Sequence, residues 1–226
     1  MTRPVHRKFF LDGPAGRLET LLWPVTGPAA LAAVVCHPHP LYGGTLHNKV
    51  VFQTAKTLRR FGLPVLRFNF RGTGESEGAH DKGNGEQGDV AAALDFLAGE
   101  YPGVPLLVAG FSFGAWVGLR TGCADPRVTE LIGLGLPAGE MAGRKLFYLD
   151  FCAKPKLLVS GGLDRYAPAA ILTGLVQNLS PPANQNTRLV LVSGADHFFT
   201  GRLDEVDEIL SAWLTERHPE LAARAE

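Results

Sequence analysis

At 226 residues, 46% hydrophobic, with 22 basic against 22 acidic side chains, the chain is long enough for one well-buried domain and short for two. Zero formal charge leaves no basic excess to grip a phosphate backbone, which argues against nucleic acid as a partner. The longest apolar stretch, residues 29–36, is far too short to span a bilayer, so no membrane partner is expected.

The basic start runs through Phe9, Phe10 and Leu11 into Asp12 and Gly13 without a long apolar segment or a small-residue cleavage site, so no signal peptide is expected. Residues 5–11 and 17–23, separated by Asp12-Gly13-Pro14-Ala15-Gly16, predict a hairpin at one edge of a sheet. Short apolar runs then alternate with segments of helical spacing. Strands are predicted at 31–36, 64–70, 104–111, 128–136, 156–160 and 188–193, and helices at 48–60, 90–98, 113–123, 167–179 and 203–217. This alternation is the pattern of a mostly parallel twisted sheet covered by helices on both faces, an α/β fold in a single domain over residues 1–226. Only residues 137–154 leave room for an insertion, and they are too few for a lid domain. The cysteines, Cys36, Cys123 and Cys152, are odd in number and lack C-x-x-C spacing. Neither a disulfide framework nor a zinc site is expected, each cysteine reads as a small core residue, and a reducing cytoplasm is the expected location.

Open parallel sheets place their chemistry at the carboxyl ends of the strands. The residues met there are His37-Pro38-His39, Arg71-Gly72, Ser112, Asp164 and His197. Ser112 lies in Gly110-Phe111-Ser112-Phe113-Gly114, a G-x-S-x-G between a strand and a helix, the context of a nucleophile elbow. A second G-x-S-x-G, Gly74 to Gly78, sits in a loop with Ser76 between two glutamates, whose charge opposes an oxyanion; Ser76 reads as loop.

A serine hydroxyl needs a base, and His197, in a glycine-led loop after the last strand, is the candidate. The imidazole needs a carboxylate to fix its tautomer. Asp164 is the first choice, against a plain helix N-cap role; Asp196 is second and Asp150 third. The oxyanion needs two backbone donors. Phe113, the residue after the nucleophile, supplies one. The loop Cys36 to Gly44 supplies the other from His39 or Leu41, since Pro38 and Pro40 have no N–H; His39 is favoured.

The chain order Ser112, Asp164, His197 is that of the α/β-hydrolase superfamily. Together with HPHPLYGGTLHNKVV from His37, RFNFRGTGESEG from Arg67 and the elbow GFSFG, it resembles small, lidless bacterial α/β hydrolases related to dienelactone hydrolases and carboxylesterases. The resemblance spans residues 31–214. It implies the α/β-hydrolase fold and a carboxylesterase-like serine hydrolase without cofactor or metal. Dienelactone hydrolases carry cysteine in the elbow, and Ser112 here favours ordinary ester hydrolysis.

The expected substrate is a small-molecule ester, handled by a monomer or homodimer, with Leu41, Tyr42, Tyr166 and Phe198 as substrate-binding residues. Phe111, Phe113, Phe147, Tyr148 and Phe199 are further candidates to line an acyl pocket; Trp116 and Trp213 read as core. A peptidase, thioesterase or perhydrolase on the same fold, or a non-catalytic binding module, are the alternatives. Three other patterns are weighed and set aside. Gly83 to Gly88 spells G-x-G-x-x-G without a leading strand, His37-x-His39 has no second ligand cluster, and Arg71 reads as a loop tie before a substrate clamp.

Overall fold

The computed structural model describes residues 6–138 and 146–222. Eight strands form one sheet in the order β1-β2-β4-β3-β5-β6-β7-β8. The strands are β1 (Arg7–Gly13), β2 (Gly16–Trp23), β3 (Ala32–Cys36), β4 (Val65–Phe68), β5 (Leu106–Phe111), β6 (Val128–Leu134), β7 (Lys156–Gly161) and β8 (Thr187–Val192). β1 pairs antiparallel with β2, and β2 antiparallel with β4. From β4 to β8 every pairing is parallel. The edge hairpin and the alternating pattern therefore stand as read. Strand ends differ from the predicted ones by at most two residues, in places because apolar residues such as Phe70 and Leu136 stay buried after the ladder has ended.

Among the described residues the sheet is covered by α1 (Lys49–Arg60), α2 (Glu86–Glu100), α3 (Phe113–Ala124), α4 (Ala169–Gln177) and α5 (Leu203–Arg217), with a single turn, α6 (Pro219–Ala222), following α5. Strand residues alternate between two cores. Val34, Cys36 and Val108 face the core formed with Val90 and Leu94 of α2 and Val117 and Leu119 of α3. Ala33, Val35, Leu107 and Ala109 face the opposite core, with Val51 and Leu58 of α1 and Val206 and Leu210 of α5. Burial on both faces is why β3 and β5 read as unbroken apolar runs; β7 is equally buried but carries Lys156 and Ser160 at its ends. Each fully buried Val or Leu contributes about 1.5–3 kcal/mol, so the two cores hold the sheet from both sides.

Strand order reverses around β3: the chain steps outward from β3 to β4, then crosses back to β5 on its other side. The connections leaving β3 and β5 diverge at this point, and a crevice opens at their carboxyl ends. Between β6 and β7 the described residues add only a single 3-10 turn, Phe147–Leu149, and no lid. No helix among the described residues is long and apolar enough to cross a membrane.

Candidate active site

Ser112 is the first residue after β5 and adopts φ 54°, ψ −118°. A non-glycine residue at positive φ costs on the order of 1–3 kcal/mol, and the surrounding packing must hold it there. Two glycines permit the turn. A Cβ on Gly110 would stand 2.4 Å from Gly114 O, and one on Gly114 would stand 2.4 Å from both Cys36 O and His37 O. The backbone is fixed on both sides, by Ser112 N–H to Leu134 O at 2.8 Å and Trp116 N–H to Ser112 O at 3.1 Å. The hydroxyl thus rises at the N-terminus of α3, partly exposed.

His197 reaches this hydroxyl from the loop after β8, with Nε2 2.9 Å from Ser112 Oγ. Its Nδ1 lies 2.7 Å from Asp164 Oδ2. The other carboxylate oxygen of Asp164 accepts the N–H groups of Tyr166 (2.8 Å) and Ala167 (3.0 Å), and Ser160 Oγ donates to Oδ2 at 3.3 Å. Asp164 therefore caps a turn and holds the imidazole at once, one task per oxygen. With His197 and Asp164 both buried, the pair is shielded from water that would weaken its electrostatics. Asp196 faces away, accepting the N–H groups of Phe198 and Thr200, and Asp150 accepts Ser180 N–H.

The loop after β3 approaches the same point. His37 is fully buried; its Nδ1 lies 2.6 Å from Pro38 O and its Nε2 accepts Phe70 N–H at 3.0 Å. Since Nε2 accepts, the proton sits on Nδ1, and burial pushes the pKa of this imidazole down to about 4. The neutral ring ties the loop to the end of β4. His39 Nδ1 accepts Leu41 N–H at 3.2 Å, and His39 O accepts Tyr42 and Gly44 N–H.

Residues 31–186 match the family described as serine aminopeptidase S33. Over 212 residues the chain is 35% identical to an uncharacterized protein of Rickettsia prowazekii, covering 92% of this chain and 88% of that one. The structure of an α/β serine hydrolase homologue from Coxiella burnetii aligns with a TM-score of 0.81 at 35% identity, over 93% of this chain and 98% of that chain. An α/β serine hydrolase without lid from Xanthomonas campestris aligns with a TM-score of 0.82 at 31% identity, over 96% of each chain.

The chain belongs to the α/β-hydrolase superfamily. The candidate site gathers Ser112, His197, Asp164 and the loop carrying His39 from beyond the carboxyl ends of the strands. Around it stand exposed apolar side chains: Tyr166 and Phe198 against the His197 ring, and Tyr42 and Leu41 beside His39. Three aromatic residues expected to line an acyl pocket do not. Phe111, Phe113 and Phe199 are fully buried, because strand-end and elbow aromatics turn into the core beneath the hydrolase site. Phe111 supports the His197 ring from below, centroids 5.1 Å apart. Gly135, which strand-end reading passed over, gives that ring its room: at φ 53° its missing Cβ would lie 3.1 Å from His197 Cε1.

The other patterns resolve as structural. Ser76 Oγ accepts Glu19 N–H at 2.9 Å and donates to Asn69 O at 2.8 Å, stitching the second G-x-S-x-G to the strands beside it. Arg71 forms a buried fork on Asp89, with a shortest contact of 2.7 Å, and ties its loop to α2. The glycine-rich entry to α2 is occupied by Glu86, whose carboxylate accepts Asp81 and Gly83 N–H at 2.8 Å each. No cluster able to hold a metal is found among the described residues.

Proposed function

We propose that this hydrolase cleaves small to medium carboxylic esters through an acyl-enzyme, with Ser112 as nucleophile, His197 as general base and then acid, and Asp164 as the orienting carboxylate. The continuous hydrogen-bonded line from Asp164 Oδ2 through the imidazole to Ser112 Oγ carries this reading. With Nδ1–H donated to the carboxylate, Nε2 is the lone-pair nitrogen facing the hydroxyl. Nε2 accepts the proton as Oγ attacks the carbonyl carbon, then returns it to the leaving alcohol. Water repeats the sequence on the acyl-serine. Developing charge on the carbonyl oxygen is met by the N–H of Phe113, at the positive end of α3, and by that of His39. Leu41, the other donor weighed, gives its N–H to the His39 ring.

The exposed Leu41, Tyr42, Tyr166 and Phe198 give an apolar rim suited to an acyl or alkyl group and open to solvent. A peptidase is the second reading, favoured by the description of the matching family. An aminopeptidase must also hold a substrate ammonium. The carboxylates flanking the site are engaged by backbone amides: Asp164 and Asp196 as above, Asp81 by Gly85 N–H, and Glu86 by Asp81 and Gly83. A panel of p-nitrophenyl esters of graded acyl length beside aminoacyl p-nitroanilides separates the two. A stoichiometric burst on acetate or butyrate with slow anilide turnover is expected, and the reverse ranking would make the protein a peptidase.

A further inference from the structure

Away from the hydrolase site, at the far end of α3, two cysteines meet two lysines. Cys123 lies in the last turn of the helix and is partly exposed, while Cys152 is buried in the segment leading into β7. Both cysteines pack in the same core, and Lys154, two residues after Cys152, reaches the carbonyl of Gly122 beside Cys123. Lys154 Nζ donates to Gly122 O at 2.7 Å and Asp125 O at 2.5 Å, closing the carbonyl end of α3. Lys156, 1% exposed, directs its ammonium to the carbonyl oxygens of Cys152 and, at 2.8 Å, Lys154. Among the described residues no carboxylate forms a salt bridge with either lysine; Asp125, whose backbone carbonyl Lys154 contacts, pairs its side chain with Arg127, and Asp150, the nearest in sequence, accepts Ser180 N–H. A buried ammonium held by neutral oxygens alone is costly, and a thiolate is the anion this cluster offers.

We propose that Cys123 and Cys152 form an oxidisable dithiol, a modification site that peroxides convert to an intramolecular disulfide. The neighbouring Cys123 thiol first, and the two lysines after it, push the pKa of Cys152 down to about 6, so the thiolate forms readily. The Cys152 thiolate attacks one peroxide oxygen: an S–O bond forms, the O–O bond breaks, and the departing hydroxide or alkoxide takes a solvent proton to leave as water or alcohol. Cys152 is then a sulfenic acid, oxidised by two electrons, and the peroxide is reduced by two. Cys123 attacks that sulfur, the S–S bond forms, the S–O bond breaks, and the oxygen leaves as water with the Cys123 proton. Cys123, exposed enough to admit a small oxidant, serves as the resolving thiol. Cys36 is fully buried in the core and stays reduced; burial alone pushes its pKa up.

The test is hydrogen peroxide added to the intact folded protein, followed by alkylation and peptide mass spectrometry. A mass loss of 2 Da per chain, a Cys123–Cys152 linked peptide and one remaining alkylated thiol, Cys36, are expected. In Cys123→Ser, dimedone should trap a sulfenic acid on Cys152 at the rate of disulfide formation in the parent. In Cys152→Ser, Cys123 should react at least tenfold more slowly. Three alkylatable thiols after peroxide, a link to Cys36 or between chains, or a Cys123 that oxidises as fast without Cys152 would each overturn the proposal.

Discussion

Ser112 Oγ lies 2.9 Å from Nε2 of His197, a residue 85 positions further along the chain. The sheet makes this meeting possible: β5 and β8 run parallel, so both residues leave their strands at the same rim. The imidazole is useful to the serine only in the tautomer that Asp164 sets.

Replacing Asp164 by Asn isolates that tautomer. The side-chain oxygen can still cap Tyr166 and Ala167, so thermal stability should change little. The amide nitrogen would donate toward Nδ1 and move the ring proton to Nε2, facing the serine. Ester turnover should fall on the order of 10⁴-fold, as for the same change in a known triad. Turnover within tenfold of the parent would remove Asp164 from its role.

Gly114 lets the elbow pass beneath the loop after β3. In Gly114→Ala the new methyl meets Cys36 O and His37 O, both backbone atoms that cannot swing aside. A loss of about 1–3 kcal/mol in urea unfolding is expected. Because the clash lies under the His39 loop, kcat should fall more than the residual stability explains. An unchanged kcat would show that the loop tolerates displacement.

His37 makes stability depend on pH. Its folded pKa, about 4, lies below the ordinary 6.5, so the unfolded chain binds more protons between these values. Stability is full above pH 6.5 and is lost as pH falls toward 4, by about 3 kcal/mol from this group. Unfolding midpoints of His37→Asn across this window should show a slope shallower by up to one proton, beneath a lower plateau. A slope equal to the parent's would mean the buried imidazole carries none of the dependence.

Ser76 is the internal control. Ser76→Ala strands Glu19 N–H and Asn69 O, two buried groups, at a cost of about 1–3 kcal/mol in unfolding free energy, while esterase kcat/KM stays within a factor of two. A collapse of turnover in folded Ser76→Ala would mean that the second G-x-S-x-G takes part in the chemistry.

The fold was legible because parallel strands buried on both faces leave continuous apolar runs, and because the first few residues beyond each strand's carboxyl end can be found by counting. Ser112, Asp164 and His197 all fall to that one rule. The supports of these groups were not legible. Gly135 and Phe111 touch the His197 ring through strand neighbours with no fixed spacing in sequence, and the pairing of Cys123 with Cys152 joins a helix end to a loop that no period connects. Nearness to the motifs makes these aromatics look like pocket lining, yet Phe111 on β5, Phe113 at the start of α3 and Phe199 in the loop after β8 are buried, since the local backbone and not distance from a motif sets which way a side chain points.

The most direct test is fluorophosphonate labelling followed by mass spectrometry of the intact protein and its peptides. One adduct, on Ser112, is expected at neutral pH. It should be absent from Ser112→Ala and much slower in His197→Ala. A folded protein that takes no label, or takes it on another serine, would contradict the assignment of Ser112 as the activated nucleophile.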